Sequence, residues 1–239
     1  MKNIDEIIAR AVILLTVSDR ASLEKPKING NVYSVEQRDR QRLSIYKWLN
    51  EKGYSKMMTQ EERSLFEQNV GGIKSNQILS NINQYEAIEP CLWAIGLVTE
   101  ISNYHNFVLD DFHPILQIGP EHTLGELVPI CRLRSRADIL IQREIAMLWH
   151  WRAIEGNNPI FKSKSLIEIV SSVFGSQYLK VVENIKLVNG CRDFVVDGYY
   201  FYELNKELIN RIKCISGWRY HALEWLVGDV AWDEVETNT

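Results

Sequence analysis

Several charged residues of this sequence fall on helical faces that are otherwise hydrocarbon, and these are the residues that could do chemistry. Arg143 and His150 lie seven residues apart in the segment 135–154, whose apolar residues cover nearly the whole helical wheel. A helix that is apolar on every side is typical of the centre of a domain. An unpaired buried guanidinium costs several kcal/mol, so Arg143 requires a carboxylate partner or access to water.

The same conflict recurs in two further segments. Arg219 lies in the centre of an apolar stripe of the last helical segment, provided that Gly217 does not break that helix. Glu86 and Glu89 share an apolar stripe in an earlier segment. Acids and guanidiniums on apolar faces of three helices predict that opposite charges meet inside the fold. The predicted pair is Glu86 with Arg219 or with Arg143.

Three interpretations of this charge cluster stay open. The one we favour is a structural ion pair that fixes how the helices dock. A second is that the side chains reach the surface along their aliphatic stems. The third is a polar pocket lined by Glu86, Arg143, His150 and Arg219, where an arginine binds a ligand carboxylate or phosphate and Glu86 or His150 acts as acid or base. The burial of Arg219 distinguishes among them.

Metal, nucleophile and cofactor chemistry have little support. Cys214 and His221 are two helical turns apart, too far to act together as nucleophile and base. No phosphate-binding loop, dinucleotide-binding glycine motif or hydrolase elbow is present. We expect no metal and no cofactor. The weak metal candidates are His221 with Glu224, and His105 and His113 beside Asp110-Asp111.

The charge of the chain is unevenly distributed. A formal net charge of −4 leaves no pervasive basic field for a nucleic-acid backbone. Between residues 75 and 131, here called the acidic window, there is no lysine or arginine. This window is either a solvated surface neutralised by basic residues elsewhere or an acidic patch for a basic protein partner. Its acids are Glu86, Glu89, Glu100, Asp110, Asp111, Glu121 and Glu126.

The sequence favours a cytoplasmic protein that binds neither membrane nor nucleic acid. Asp5 and Glu6 stand where a signal peptide would be basic, and the apolar run 11–17 is too short to span a bilayer. The cysteines are far apart and form no paired motif, which favours free thiols in a reducing compartment. They are Cys91, Cys131, Cys191 and Cys214.

Helical periodicity predicts one mainly α, multi-helix domain over residues 1–239, without repeats or linkers. Thr59 and Ser135 are predicted helix N-caps. Asp197-Gly198 between apolar and aromatic runs predicts a small β-hairpin near residues 194–202. The predicted helices are an amphipathic one over 4–18, then 35–50, a short one after Thr59, 76–101 with a break at Pro90, 135–154, 164–185 with a break at Gly175, and 204–227.

Three short elements follow one another along the chain: Glu86-Ala87 with Trp93-Ala94-Ile95-Gly96, then His150-Trp151, then Arg219 with Ala222-Leu223, Trp225-Leu226-Val227-Gly228, Trp232-Asp233-Glu234-Val235 and Thr237-Asn238-Thr239. These elements resemble motifs of a bacterial family called domain of unknown function 4272, with Asn238 where the family has Asp. That resemblance implies a mainly helical cytosolic protein and carries no established activity. It also singles out Glu86, His150 and Arg219, which the helical wheels reach independently.

We therefore expect a protein that acts by binding another protein through the acidic window, such as an accessory or immunity protein that neutralises a basic partner. The competing expectation is an enzyme or small-anion-binding protein with a pocket between helices lined by Glu86, Arg143, His150 and Arg219. Salt weakens capture by an acidic patch, whereas a bound anion raises the melting temperature. The sequence carries no signal for the oligomeric state.

Overall fold

The computed structural model describes residues 1–28, 31–184 and 193–237. Ile185, Cys191, Asn238 and Thr239, used in the sequence analysis, lie outside this described part. The fold is mainly α, as predicted, with the predicted antiparallel hairpin near residues 194–202 and an unpredicted one that pairs residues 27–28 with 31–32. The helices are α1 (Ile4–Ser22), α2 (Val35–Glu51), α3 (Gln60–Glu67), α4 (Ser75–Asn83), α5 (Ile88–Ala94), α6 (Leu124–Leu127), α7 (Arg136–Glu155), α8 (Ile160–Ser163), α9 (Leu166–Phe174), α10 (Leu179–Asn184) and α11 (Lys206–Val227). The strands are β1 (Lys27–Ile28), β2 (Asn31–Val32), β3 (Val195–Val196) and β4 (Tyr199–Tyr200), paired β1–β2 and β3–β4.

Helix α1 lies in the centre of the fold, and this corrects two expectations. Every residue from 7 to 18 is buried, so α1 is not amphipathic. Helix α7, which the sequence placed at the centre, leaves Ile141 and Ile154 exposed. Helix α1 can be buried on every side because its polar side chains form hydrogen bonds within the protein. Arg10 pairs with Glu62 at 2.7 Å, and the Thr16 hydroxyl donates to carbonyls one turn back.

The predicted break near Pro90 is present, but it begins ahead of the proline. Helix α4 is followed by a 3-10 turn, Gln84–Ala87, here called the Glu86 turn, and α5 starts directly after it. Pro90 therefore lies in the first turn of α5, where its missing N–H costs no hydrogen bond. The expectation that the helix continues to residue 101 is wrong, because Gly96 takes φ +77° and turns the chain away.

Helix α11 runs without a break through Gly217 and packs along α7. A Cβ at Gly217 would lie 3.0 Å from Cε1 of His150, so the glycine allows the two helices to approach closely. The other face of α11 contacts the Glu86 turn and α5. Arg219 consequently points from α11 toward the acids of that turn. Within the described residues, no helix combines the length and hydrophobicity needed to cross a bilayer.

A buried bidentate ion pair ties the β3–β4 hairpin to α7. Arg152 Nε and Nη2 lie 2.7 and 2.6 Å from the two carboxylate oxygens of Asp193, and both side chains are fully buried. The same carboxylate accepts the backbone N–H groups of Phe194 and Tyr202. The hairpin predicted around Asp197 is thus confirmed and is anchored by one carboxylate.

Replacing Asp193 by asparagine should break this ion pair and destabilise the protein. Asp193→Asn leaves the Arg152 guanidinium buried without its counter-charge, and we expect a loss of about 3–5 kcal/mol in the free energy of unfolding, measured by urea denaturation. Asp197→Asn in the turn is the matched control, since its side chain is 72% exposed, and it should stay within about 0.5 kcal/mol. Equal losses in the two variants would show that the buried pair is unimportant.

Candidate functional site

Arg219 is fully buried and every nitrogen of its guanidinium has an acceptor. Its Nη2 lies 2.8 Å from Glu86 Oε2 and 3.3 Å from Glu89 Oε2. Its Nη1 donates to the carbonyls of Ser102 and Asn103, at 2.5 and 3.0 Å. We call Arg219, Glu86 and Glu89 the Arg219 cluster. It joins α11, the Glu86 turn, α5 and the loop that follows residue 101.

The carboxylates of the Arg219 cluster also bind backbone. Glu86 Oε1 accepts the N–H of Val108 at 2.8 Å, and Glu89 Oε1 accepts the N–H and hydroxyl of Ser102. Burial raises the pKa of Glu86, and the attraction of Arg219 opposes that rise. Burial is the largest effect, and the neighbouring Glu89 carboxylate adds a smaller rise.

An exposed loop leads directly out of this cluster. Residues 107–111, here called the Leu109 loop, carry Leu109 with 94% of its surface exposed and Phe107 with 41% exposed. Asp110 and Asp111 are exposed beside them. Leu109 is the most exposed large hydrophobic side chain among the described residues, and Phe107 is exposed two positions before it. An apolar patch on the surface is typical of interaction sites.

Two side chains of the Glu86 turn, the buried Glu86 and the half-buried Tyr85, hold the backbone of the Leu109 loop in place. The N–H of Val108 is bound by Glu86, and the hydroxyl of Tyr85 donates to the carbonyl of Asp110 at 2.7 Å. The same hydroxyl accepts the N–H of Phe112 at 3.3 Å. Both holding residues belong to the Glu86 turn. The turn therefore fixes the loop from inside, Val108 packs against the core, and Phe107 and Leu109 stay exposed to solvent.

His113 fastens the far end of the Leu109 loop to α1. Its Nε2 lies 2.8 Å from Asp19 Oδ2, and its Nδ1 lies 2.6 Å from Asp111 Oδ1. The hydrogen bond to Asp19 is the main cause that raises the pKa of His113 to about 9, against the lowering effect of burial. The imidazole is consequently protonated at neutral pH and bridges two carboxylates.

The weak metal candidates do not assemble. His105 lies 3.4 Å from Asp197 of the hairpin, away from His113 and its partners. His221 donates to a backbone carbonyl, and Glu224 pairs with Arg143. Over the described ranges, no three His, Cys, Asp or Glu side chains come together as a metal ion requires.

Arg143 and His150 lie outside the Arg219 cluster, so the four predicted site residues do not line one pocket. Arg143 Nη1 lies 3.3 Å from Glu224, and Nη2 pairs with Glu144. The His150 Nδ1 lies 3.2 Å from the carbonyl of Lys213, and burial lowers the pKa of this imidazole. Both residues lie along the contact of α7 with α11. The helical wheel showed which face of α7 carries these two residues, but it could not show that α11 packs against that face.

Cys214 and His221 line a cavity of about 400 Å³ together with His150. Burial raises the pKa of the Cys214 thiol to about 11 and lowers the pKa of His221 to about 4. A thiol that resists ionisation and an imidazole that resists protonation do not make a nucleophile and base.

Cys91 and Cys131 are buried free thiols, as the cysteine spacing predicted.

Sequence reasoning missed other buried arginines. Arg20 is fully buried, pairs with Glu24, and donates to the carbonyls of Leu65 and Gln68, each at 2.9 Å. Because Arg20 follows an apolar helical run, the sequence could have predicted that this arginine is buried. Arg38 donates instead to backbone carbonyls from a helix that is charged along its length, where no pattern marks it.

The acidic window is smaller on the surface than its composition suggested. Glu86 and Glu89 are 2% and 1% exposed and face Arg219, so they are not available to a partner. At residues 120–122 of the window, the Lys52 ammonium donates to the carbonyls of Pro120 and His122 and so places a cation there. The acids that remain exposed are Glu100, Asp110, Asp111, Glu121 and Glu126.

Residues 1–159 match the family described as Domain of unknown function (DUF4272), which is more than half of the chain, and the protein belongs to this family. The matched region contains Glu86, Glu89, the Leu109 loop and His150, whereas Arg219 lies beyond it. A search of curated proteins found no match, and neither did a search of solved structures. The family assignment therefore brings no activity with it.

The His113 bridge predicts a pH dependence of stability. Because its folded pKa of about 9 exceeds the ordinary 6.5, its stabilisation is complete below about pH 6 and is lost as the pH rises through 9. The difference in unfolding free energy between wild type and His113→Gln, from urea denaturation, should shrink over that interval. His105→Gln is the control and should differ less at every pH, since its partner Asp197 is exposed. A pH-independent difference for His113→Gln contradicts the bridge.

Proposed function

We propose that this protein binds another protein, and that the Leu109 loop is the centre of the binding surface. The observation that carries the proposal is a 94% exposed leucine on a backbone held by the buried Glu86 carboxylate and the Tyr85 hydroxyl. An apolar side chain that is held ready in solvent can be buried in a partner without further ordering of the loop, which lowers the entropic cost of association.

The acids beside Leu109 indicate a basic partner. Asp110 and Asp111 are exposed, and the sequence window around them contains neither lysine nor arginine, although protonated His113 pairs with Asp111. Complementary charge at the edge of an interface speeds association and selects partners, and salt weakens it. An accessory or immunity-like protein that neutralises a basic protein fits this combination. We place it in the cytoplasm, where thiols such as Cys91 and Cys131 stay reduced.

The alternative, an enzyme or small-anion-binding protein built on the arginine cluster, has weaker support. A ligand carboxylate would need free guanidinium donors, yet those of Arg219 are taken by Glu86, Glu89 and two backbone carbonyls. Arg143 is paired with two glutamates. Among the described residues, Arg143 Nε is buried without a hydrogen-bond partner, but binding an anion through the other guanidinium donors of either arginine would require breaking an existing contact.

The proposal predicts that Leu109→Ser abolishes partner capture. Wild type and variant, immobilised at equal amounts, would be exposed to native cytoplasmic extract at low and high salt, and recovered proteins identified by mass spectrometry. We expect a basic protein recovered by wild type at low salt, depleted at high salt and lost from Leu109→Ser. Leu79→Ser is the matched control, because Leu79 is also exposed, by 62%. Equal recovery by both variants, or an acidic partner insensitive to salt, would overturn the proposal.

A further inference from the structure

The β3–β4 hairpin presents an exposed aromatic side chain at its tip. Tyr199 is 62% exposed and follows the turn that contains Asp197, which is also exposed. Tyrosine is among the residue types that contribute most to the binding energy of protein interfaces. The hairpin tip therefore offers a contact of the kind that a protein partner uses.

The hairpin tip touches the chain segment that leads into the Leu109 loop. His105 Nε2 lies 3.4 Å from Asp197 Oδ1. Leu109 follows His105 by four residues, so its Cα lies within about 15 Å of the His105 Cα even if the chain between them is fully extended. A protein interface of standard size covers about 800 Å² on each partner, which is a patch about 30 Å across. One partner can therefore contact Leu109 and the hairpin tip together.

The hairpin and the start of the Leu109 loop are fixed to each other by a buried aromatic column. The Tyr104 ring lies 5.2 Å from the Arg219 guanidinium and stacks on Trp149, with ring centroids 5.5 Å apart. The Trp149 ring packs in turn on Phe194 at the base of the hairpin, at 4.4 Å. Tyr104, Trp149 and Phe194 are all buried. The Arg219 cluster thus supports both exposed elements from inside.

A buried carboxylate also binds backbone N–H groups beneath each exposed tip. Glu86 accepts the N–H of Val108 beside Leu109, and Asp193 accepts the N–H groups of Phe194 and Tyr202 at the base of the hairpin. A backbone held in this way has little conformational freedom left to lose when a partner buries its exposed side chains. Both tips are therefore positioned before any partner arrives.

We propose that the β3–β4 hairpin is the second half of the partner-binding surface, where Tyr199 and Asp197 bind an arginine or lysine of the basic protein that covers Leu109. This inference rests on the proposed function and adds the chemistry of the contact. The Tyr199 ring would stack on the cationic side chain, and the Asp197 carboxylate would pair with it. Asp197 remains 72% exposed although one of its oxygens contacts His105. Tyr202 is left out of the contact, because the Lys162 ammonium already lies 5.9 Å from its ring.

Photo-crosslinking tests whether one partner covers both elements. In three versions of the full chain, p-benzoylphenylalanine would replace Leu109, Tyr199 or Val230. Val230 is the matched control, because it is 43% exposed and follows the C-terminal end of α11, whereas the hairpin precedes the N-terminal end. A helix of 22 residues, about 33 Å long, lies between them. Each protein would be irradiated in native cytoplasmic extract, and the adducts identified by mass spectrometry.

We expect the same basic protein in the adducts of the Leu109 and Tyr199 positions and not in those of the Val230 position. An adduct at the Leu109 position alone, or a different protein at the Tyr199 position, would overturn this inference and leave the proposed function standing. No adduct at the Leu109 position would contradict the proposed function and this inference with it. The same protein at all three positions would show unspecific capture and overturn the inference as well.

Variants then measure the contribution of the hairpin to binding of the protein identified in this way. Tyr199→Ser and Asp197→Asn should each raise the Kd at least fivefold in isothermal titration calorimetry at low salt, because they remove the ring and the charge that bind the cation. Both positions are exposed, so both variants should melt at the temperature of wild type. Val230→Ser is the control and should bind as wild type does. An unchanged Kd in either hairpin variant refutes the assigned contact.

Discussion

A guanidinium buried in hydrocarbon needs acceptors for its donors and is best stabilised by a counter-charge, and the structure is organised around this constraint. Arg219 meets it by binding Glu86, which is 133 positions away in the sequence, and carbonyls that are 117 and 116 positions away. One side chain thus fixes three distant parts of the chain against each other. Three other buried arginines also pair with a carboxylate: Arg10, Arg20 and Arg152.

The Arg219 cluster links the interior to the surface. Glu86 uses one oxygen for Arg219 and the other for the backbone of Val108. The pairing that stabilises the docking of α11 therefore also sets the position of the Leu109 loop. In the proposed function, this structural role supplies the rigidity of the loop that would bind the partner.

Local signals predicted most of the secondary structure. Helix starts at Thr59 and Ser135 follow from side-chain capping, and the hairpin at Asp197 follows from turn chemistry. Helical periodicity brought Glu86 and Arg219 together as one of two expected pairings. It could not place Arg143, since a wheel gives the face of a residue and not the element that covers it.

The non-local features were beyond these rules. The early end of α5, the central position of α1 and the exposure of the Leu109 loop all depend on how distant segments pack. An arginine that binds backbone carbonyls has no complementary side chain that the sequence could reveal.

The most direct test of the account is a double-mutant cycle of Glu86→Gln and Arg219→Met in urea denaturation. Each single change should cost about 3–5 kcal/mol, and the double variant should lose at least about 1 kcal/mol less than their sum. Additive losses would contradict the claim that this pair holds the fold together.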